Sequence, residues 1–215
     1  MLTYARFGPS LALLLATAIQ SSSVPVTEEP RHKVVFANEY VRVIDAALPV
    51  GDTTLFHRHD RDNVPVVITG GTARTQVIAG ATSKTTLVAG HVWFAKAAYT
   101  HQTANIGTTP LRFIDAEILA RWLHSDGDGD RAPIAGETLV LENDQVRISR
   151  VSLRPGESVT AHAHTRPLLH VEVSGGSISG APRAPGAFAW LSARSSHSIE
   201  NTGDRSYDAI IIEWK

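Results

Sequence analysis

The segment Asn38-Glu39-Tyr40-Val41-Arg42-Val43 returns 105 residues later as Asn143-Asp144-Gln145-Val146-Arg147-Ile148. At the same offset Gly51 matches Gly156, His57 matches His162, His59 matches His164, and Gly70-Gly71 matches Gly175-Gly176. Further on the offset falls to 96, where Gly90 matches Gly186, His101 matches His197, Asn105 matches Asn201, Gly107 matches Gly203 and Glu117 matches Glu213. A repeat of this kind commits the chain to folding one structural unit twice. The second copy is nine residues shorter between Gly176 and Gly186, where a hairpin loop can shrink.

Each copy has strand character. VVFANEYVRVIDAAL, VPVVITGG, TARTQVIAG, TTLVAGHVWFA and LRFIDAEIL are short runs rich in Val, Ile, Thr and aromatics, separated by Gly, Asn, Pro and Asp. That rhythm predicts an all-β sandwich or barrel. Only Ala116–His124 reads as helical, leading into the polar segment Ser125–Gly136. Asp126, Asp128 and Asp130, with Glu137 at the twelfth position, resemble part of a calcium loop. Arg131 stands where that loop turns on glycine and no helices flank it, so a solvated linker is the reading.

At the N-terminus Arg6 precedes the apolar run Leu11–Ile19, and Ala16-Thr17-Ala18 fits a small-x-small cleavage site. The run is shorter than the roughly 20 residues a bilayer requires. It is read as a signal peptide over residues 1–22, cleaved near Ala18, which predicts a secreted or periplasmic protein without a stable membrane anchor. A formal net charge of −1 gives no basic footprint for nucleic acid. The absence of cysteine excludes a disulfide framework, thiolate metal sites and a cysteine nucleophile. No Ser-His-Asp order, phosphate loop or paired carboxylates stand out.

The ten histidines are the chemical anomaly. His57-x-His59 and His162-x-His164 lie in strand-like sequence, where residues i and i+2 point to one face. Both imidazoles of a pair can therefore converge on one metal, and His101 and His197, each opening a His-x-x-x-Asn-x-Gly segment, suit a third position. Neutral imidazole ligates Fe, Mn, Ni, Cu and Zn.

Gly51-x5-His57-x-His59 and Gly156-x5-His162-x-His164, followed by Gly90…His101…Asn105 and Gly186…His197…Asn201, resemble the two motifs of the cupin superfamily, once in each copy. The resemblance spans about residues 32–215. It implies a bicupin: two tandem antiparallel jelly-roll barrels, at 32–120 and 137–215, joined by a linker at 121–136, each with a central metal pocket. The implied ligands are His57, His59 and His101 in the first copy and His162, His164 and His197 in the second.

The departures are specific. The glutamate that such proteins carry after His-x-His, with three or four residues between, is replaced by Asn63 or Val64 and by Leu168 or Leu169. The Pro and Gly of the second motif are replaced by Lys96 and Ala98, then by Ser192 and Arg194. Three-histidine sites without the acid are similar to those of cupin thiol and diketone dioxygenases. A neutral ligand set leaves a divalent charge uncompensated and favours a small anionic substrate.

The sequence is therefore read as an exported bicupin metalloprotein, a metal-dependent dioxygenase acting on a small molecule. The alternatives are a non-catalytic cupin that binds metal or a small ligand, and a metal-dependent isomerase, lyase or zinc-type hydrolase on the same fold. Leu168 and Leu169 favour the second copy as the more apolar, substrate-like pocket. With Val64, Val66 and Leu169 taken as facing the barrel interior, His170 and Glu172 point away from it, and Glu172 enters as a fallback ligand only by a one-residue slip. His91 is read as a surface or outer-sphere group. His32 and His124 receive no role, and Trp93, Trp190 and Trp214 are read as core. Homo-oligomerisation is left open.

Overall fold

The computed structural model describes residues 22–123 and 134–215. The leader expected at 1–22, but for its last residue, lies outside them, as do His124 and the Asp126, Asp128, Asp130 cluster.

The first copy supplies β1 (Val24–Pro25), β2 (His32–Ala37), β3 (Val41–Leu48), β4 (His57–His59), β5 (Asn63–Thr69), β6 (Gly71–Val77), β7 (Thr82–Leu87), β8 (Tyr99–Asn105) and β9 (Leu111–Ile118). The second supplies β10 (Glu137–Glu142), β11 (Val146–Leu153), β12 (Ser158–Ala163), β13 (Leu168–Glu172), β14 (Gly176–Ile178), β15 (Ala181–Arg183), β16 (Phe188–Leu191), β17 (Ser196–Glu200) and β18 (Tyr207–Trp214). Barrel one is a jelly-roll sandwich of sheets β1-β4-β8-β6-β7 and β2-β3-β9-β5. Barrel two has the sheet β10-β11-β18-β13-β16 with the pairs β12-β17 and β14-β15. The repeat extends to register: Arg42 pairs with Glu117 across β3 and β9, and Arg147 with Glu213 across β11 and β18.

The two barrels pack through their matching sheets. Val64, Val66, Ile114 and Ala116 of barrel one share one buried cluster with Leu169, Val171, Ile210 and Ile212 of barrel two. Polar contacts pin this face: Trp214 Nε1 donates to the Tyr40 carbonyl at 3.2 Å, and Gln145 Nε2 to Asp62 at 2.6 Å. Repeat-related ion pairs, Asp45 with Arg112 and Arg150 with Asp208, carry exchanged charges. Each arginine lies against a glycine of the other barrel. A Cβ on Gly186, where φ is +80°, would stand 2.7 Å from Arg112 Cζ. Glycine here serves both the left-handed turn and the close approach.

Two local expectations fail. Leu111–Ile118 is strand β9, paired along its length with β3, so the helix read over Ala116–His124 does not begin where expected; residues 119–123 are irregular. Ile114, Ala116 and Ile118 face the partner barrel while Asp115 and Glu117 turn the other way, and acids on the inner face mimic a helical period. The strand register is also reversed. Val64, Val66 and Leu169 face the other barrel, whereas Leu168 belongs to the cluster that fills barrel two and His170 bonds Tyr207 of that cluster. A strand buried on both faces offers no polar alternation from which to read register.

Candidate metal centres

Each triad is built by the same devices. Gly51 and Gly156, at φ +82° and +79°, turn the chain into the His-x-His strand. His57 Nδ1 donates to the Leu55 carbonyl at 3.0 Å and His162 Nδ1 to the Thr160 carbonyl at 2.9 Å, which fixes each tautomer and leaves Nε2 as the ligating atom. Strand pairing sets His57 opposite His101 and His162 opposite His197. The motif asparagines are clamps, not ligands: Asn105 Nδ2 donates to the Leu48 and Thr109 carbonyls, and Asn201 Nδ2 to those of Leu153 and Arg205. Ala98 and Arg194 hold the left-handed conformation at φ +66° and +65° in the turns where the family glycine is missing. Their amides donate to the carbonyls of His59 and His164.

All six expected ligands come together, three per barrel, with ligating atoms inside 4.8 Å of one another in each group. In barrel two the three Nε2 atoms are 2.9, 3.0 and 2.9 Å apart. At the usual metal–nitrogen bond of about 2.0–2.1 Å, cis positions of an octahedron lie about 2.9 Å apart and tetrahedral positions about 3.3 Å. The spacing fits a facial set. In barrel one His59 Nε2 and His101 Nε2 are 3.3 Å apart, and His57 Nε2 is buried without a hydrogen-bond partner. Burial holds these imidazoles neutral, the ligating form: His57 is lowered to about 4, His59 to about 2 and His101 to about 3, with mutual histidine repulsion adding to desolvation. The residues present fit a divalent transition metal.

The acids missing beside the histidines reappear on neighbouring strands. Asn63, at one of the positions vacated by the glutamate, donates to both carboxylate oxygens of Asp115 at 2.8 and 2.9 Å and accepts from the Tyr99 hydroxyl. Asp115 stands 3.9 Å from His59 Nδ1, and Tyr99 stacks on the His59 ring. Burial raises the Asp115 carboxyl to about 7 against the Asn63 bonds. In barrel two Glu213 takes that place, 2.9 Å from His164 Nδ1. Glu213 thus orients His164, while Asp115 is held by Asn63 beside His59 without bonding its ring.

A second pair follows the 105-residue offset: His32 in barrel one and Glu137 in barrel two. The His32 ring lies 4.6 Å from that of His57, and His32 Nδ1 is 2.7 Å from the Glu29 carboxylate. Burial opposes the Glu29 charge, but His32 and the amides of Arg31 and Leu55 hold the carboxyl down at about 2. Glu137 Oε1 is 3.6 Å from His162 Nε2. Aligning the two copies was enough to find this position, which the motif search passed over.

The barrels differ in their interiors. Barrel one encloses a cavity of about 550 Å³ lined by its triad, His32, Trp93, Phe113 and Asp115 among others. Barrel two is filled by Leu153, Val159, Leu168, Ile178, Ile199, Tyr207 and Ile211. The preference for the second copy is therefore reversed, and the cause is side-chain size at repeat-related positions. Ala46, Ala73 and Thr103 around the cavity correspond to the larger Val151, Ile178 and Ile199. The nine-residue difference falls on the hairpin β6–β7, whose Ala73, Thr75, Val77, Thr85 and Leu87 wall the cavity. Its counterpart β14–β15 has strands of three residues each.

Of the remaining expectations, Glu172 stands inside barrel two but in neither triad; it lies 3.9 Å from Arg183 and 4.0 Å from His170 Nε2. His91, exposed, lies at the cavity's edge, and Trp93 lines the wall rather than the core. Trp214 is core, with Trp190 packed on it.

No protein-family model and no curated protein matches the chain. Solved structures do. AerE from Microcystis aeruginosa superposes with a TM-score of 0.60 at 12% identity, covering 87% of this chain and 98% of its own. A variant of salicylate 1,2-dioxygenase from Pseudoaminobacter salicylatoxidans gives 0.57 at 12% identity, over 83% and 72%. Oxalate decarboxylase from Lactobacillus farciminis gives 0.55 at 11% identity, over 82% and 77%. Identities this low carry the fold alone, and that fold is the bicupin: two tandem jelly-roll barrels, here with one histidine triad in each.

Proposed function

We propose that the protein is an exported bicupin metalloenzyme, a dioxygenase for a small organic substrate, with its working site in barrel one. The observation that carries this reading is the three neutral histidines set in the wall of an apolar cavity. A redox-active divalent ion bound there would offer open coordination positions to substrate and dioxygen together. His57, His59 and His101 would hold it through Nε2. The Leu55 carbonyl fixes the orientation of His57, while Tyr99 stacks on His59. The apolar walls exclude water and so strengthen every charge interaction inside.

Salicylate dioxygenase among the structural neighbours is consistent with this chemistry. The filled interior of barrel two favours the non-catalytic alternative for that half: a metal site that stabilises the fold. Oxygen uptake by the iron-, manganese-, nickel- and copper-loaded protein, assayed against a panel of phenols, enols and carboxylates, tests the reading. Silence across the panel in every metal form would refute it. The leader is tested by the N-terminal sequence of protein recovered after expression with residues 1–22 intact; a retained Met1 contradicts export by cleavage.

A further inference from the structure

The cavity of barrel one also specifies the class of molecule it takes. No lysine or arginine is among the residues that line it. Leu48, Leu87, Trp93 and Phe113 supply broad apolar surface, and Asp115 brings a carboxylate of its own. His32 is already matched by Glu29, and His91 sits in solvent at the edge. A metal held by the triad would be the sole strong positive centre inside. An anionic oxygen is thus accommodated at one place. A second carboxylate too distant to share the metal would be buried without a partner beside Asp115, at a cost that excludes it.

A volume of about 550 Å³ lies within the range of pockets that enclose drug-sized ligands. We propose that barrel one binds a ring compound with an uncharged apolar body and a single ionisable hydroxyl or enol oxygen, and rejects ring compounds that carry a carboxylate at the end remote from the metal. This rests on the reading of the triad as a metal site. It narrows the anionic substrate expected from ligand charge to one charge, placed on the metal-facing oxygen.

The test is equilibrium binding to the metal-loaded protein, by calorimetry and tryptophan quenching, with 2-naphthol and terephthalate as probes; the two carboxylates of terephthalate stand at opposite ends of its ring and cannot share one metal. 2-Naphthol is expected to bind at one equivalent per chain, and terephthalate at least tenfold more weakly. The double variant Ala46→Val, Ala73→Ile brings barrel two's own side chains into barrel one. It is expected to weaken 2-naphthol at least tenfold while the metal content of both triads stays unchanged. Should that variant fail to fold, Trp93→Ala, which removes part of the wall, is expected to weaken binding by a similar factor. Terephthalate binding as tightly as 2-naphthol, or 2-naphthol binding unaffected by both substitutions, overturns the proposal. Because binding is read without turnover, 2-naphthol binding with no oxygen uptake across the panel upholds the ligand class and removes only the dioxygenase reading. Uptake driven by terephthalate does the reverse.

Discussion

Barrels one and two share motif spacing, strand register, asparagine clamps and a histidine triad, yet one is hollow and the other filled. The difference lies in a few positions per copy. Ala46, Ala73 and Thr103 leave room in barrel one, and the larger Val151, Ile178 and Ile199 take it up in barrel two. Tyr207 and His170, hydrogen-bonded at 2.8 Å, stand where the first copy has Leu111 and Pro65. The two copies carry equivalent histidine triads; packing beside them leaves one a chamber and makes the other a core. A ligand triad is therefore a statement about binding, and the space beside it a statement about reaction.

The comparison breaks most sharply on the first histidine of each pair. His57→Ala should lower oxygen uptake more than 100-fold, the upper range for losing even an outer-sphere partner. His162→Ala should remove one equivalent of metal and leave most of the uptake. Metal analysis alongside initial rates checks both, and equal losses of activity would abolish the division of labour.

The acids beside the histidines should act next. Glu213→Gln, which breaks the bond to His164, should weaken metal at barrel two by about 10- to 100-fold, and Asp115→Asn, which breaks no bond to His59, should weaken barrel one far less, each leaving the other barrel's affinity unchanged. Titration with a competing chelator in the His57→Ala and His162→Ala backgrounds separates the two sites.

Acid should destabilise the metal-free protein through barrel one's triad and, in the same direction, through His170 of barrel two, which burial lowers to about 3. His57, His59 and His101 have folded values depressed from 6.5 to between about 4 and 2, so the unfolded chain takes up their protons first. Their contribution is whole above pH 6.5 and is lost as pH falls from there towards 3. Glu29, depressed from 4.5 to about 2, loses its contribution in the same direction between those values. Asp115, raised from 3.8 to about 7, has the opposite sign: its contribution is present below pH 3.8 and lost as pH rises through 7. The three histidines outweigh it, so the melting temperature should be lower at pH 5 than at pH 7.5. Asp115→Asn should steepen that dependence by removing the opposing group. A flat melting profile would contradict the buried, neutral triad.

The smallest effect belongs to the turns. Ala98→Gly and Arg194→Gly relieve non-glycine residues at positive φ, each worth about 1 kcal/mol, or roughly 2–4 °C in Tm for a chain of this size. Thermal melts of the two variants should show similar gains if the barrels share this turn as closely as their φ values indicate.

Much of the site was legible because the repeat placed it twice. His57, His59 and His101 could be named from strand periodicity and matched against a second copy. The acids beside the histidines were less visible: Asp115 and Glu213 stand on β9 and β18, about 50 residues from the histidines they face, and no local spacing connects them. Glu137 and His32 were available from the offset of 105 but lie outside either motif. Only the end of β9, residues 116–118, carries a false helical signal, because its acids point inward; the register of β5 and β13 is hidden because both of their faces are buried.

By itself the sequence determined the duplication, the all-β units and the six histidines, since each is carried by short-range spacing or by self-similarity. The tertiary structure alone decided which strand faces meet across the barrels and which barrel is hollow. Face and volume depend on the summed sizes of side chains contributed by strands far apart in the chain. Ala46 or Ala73 alone gives no sign that together they open a cavity beside a metal pocket.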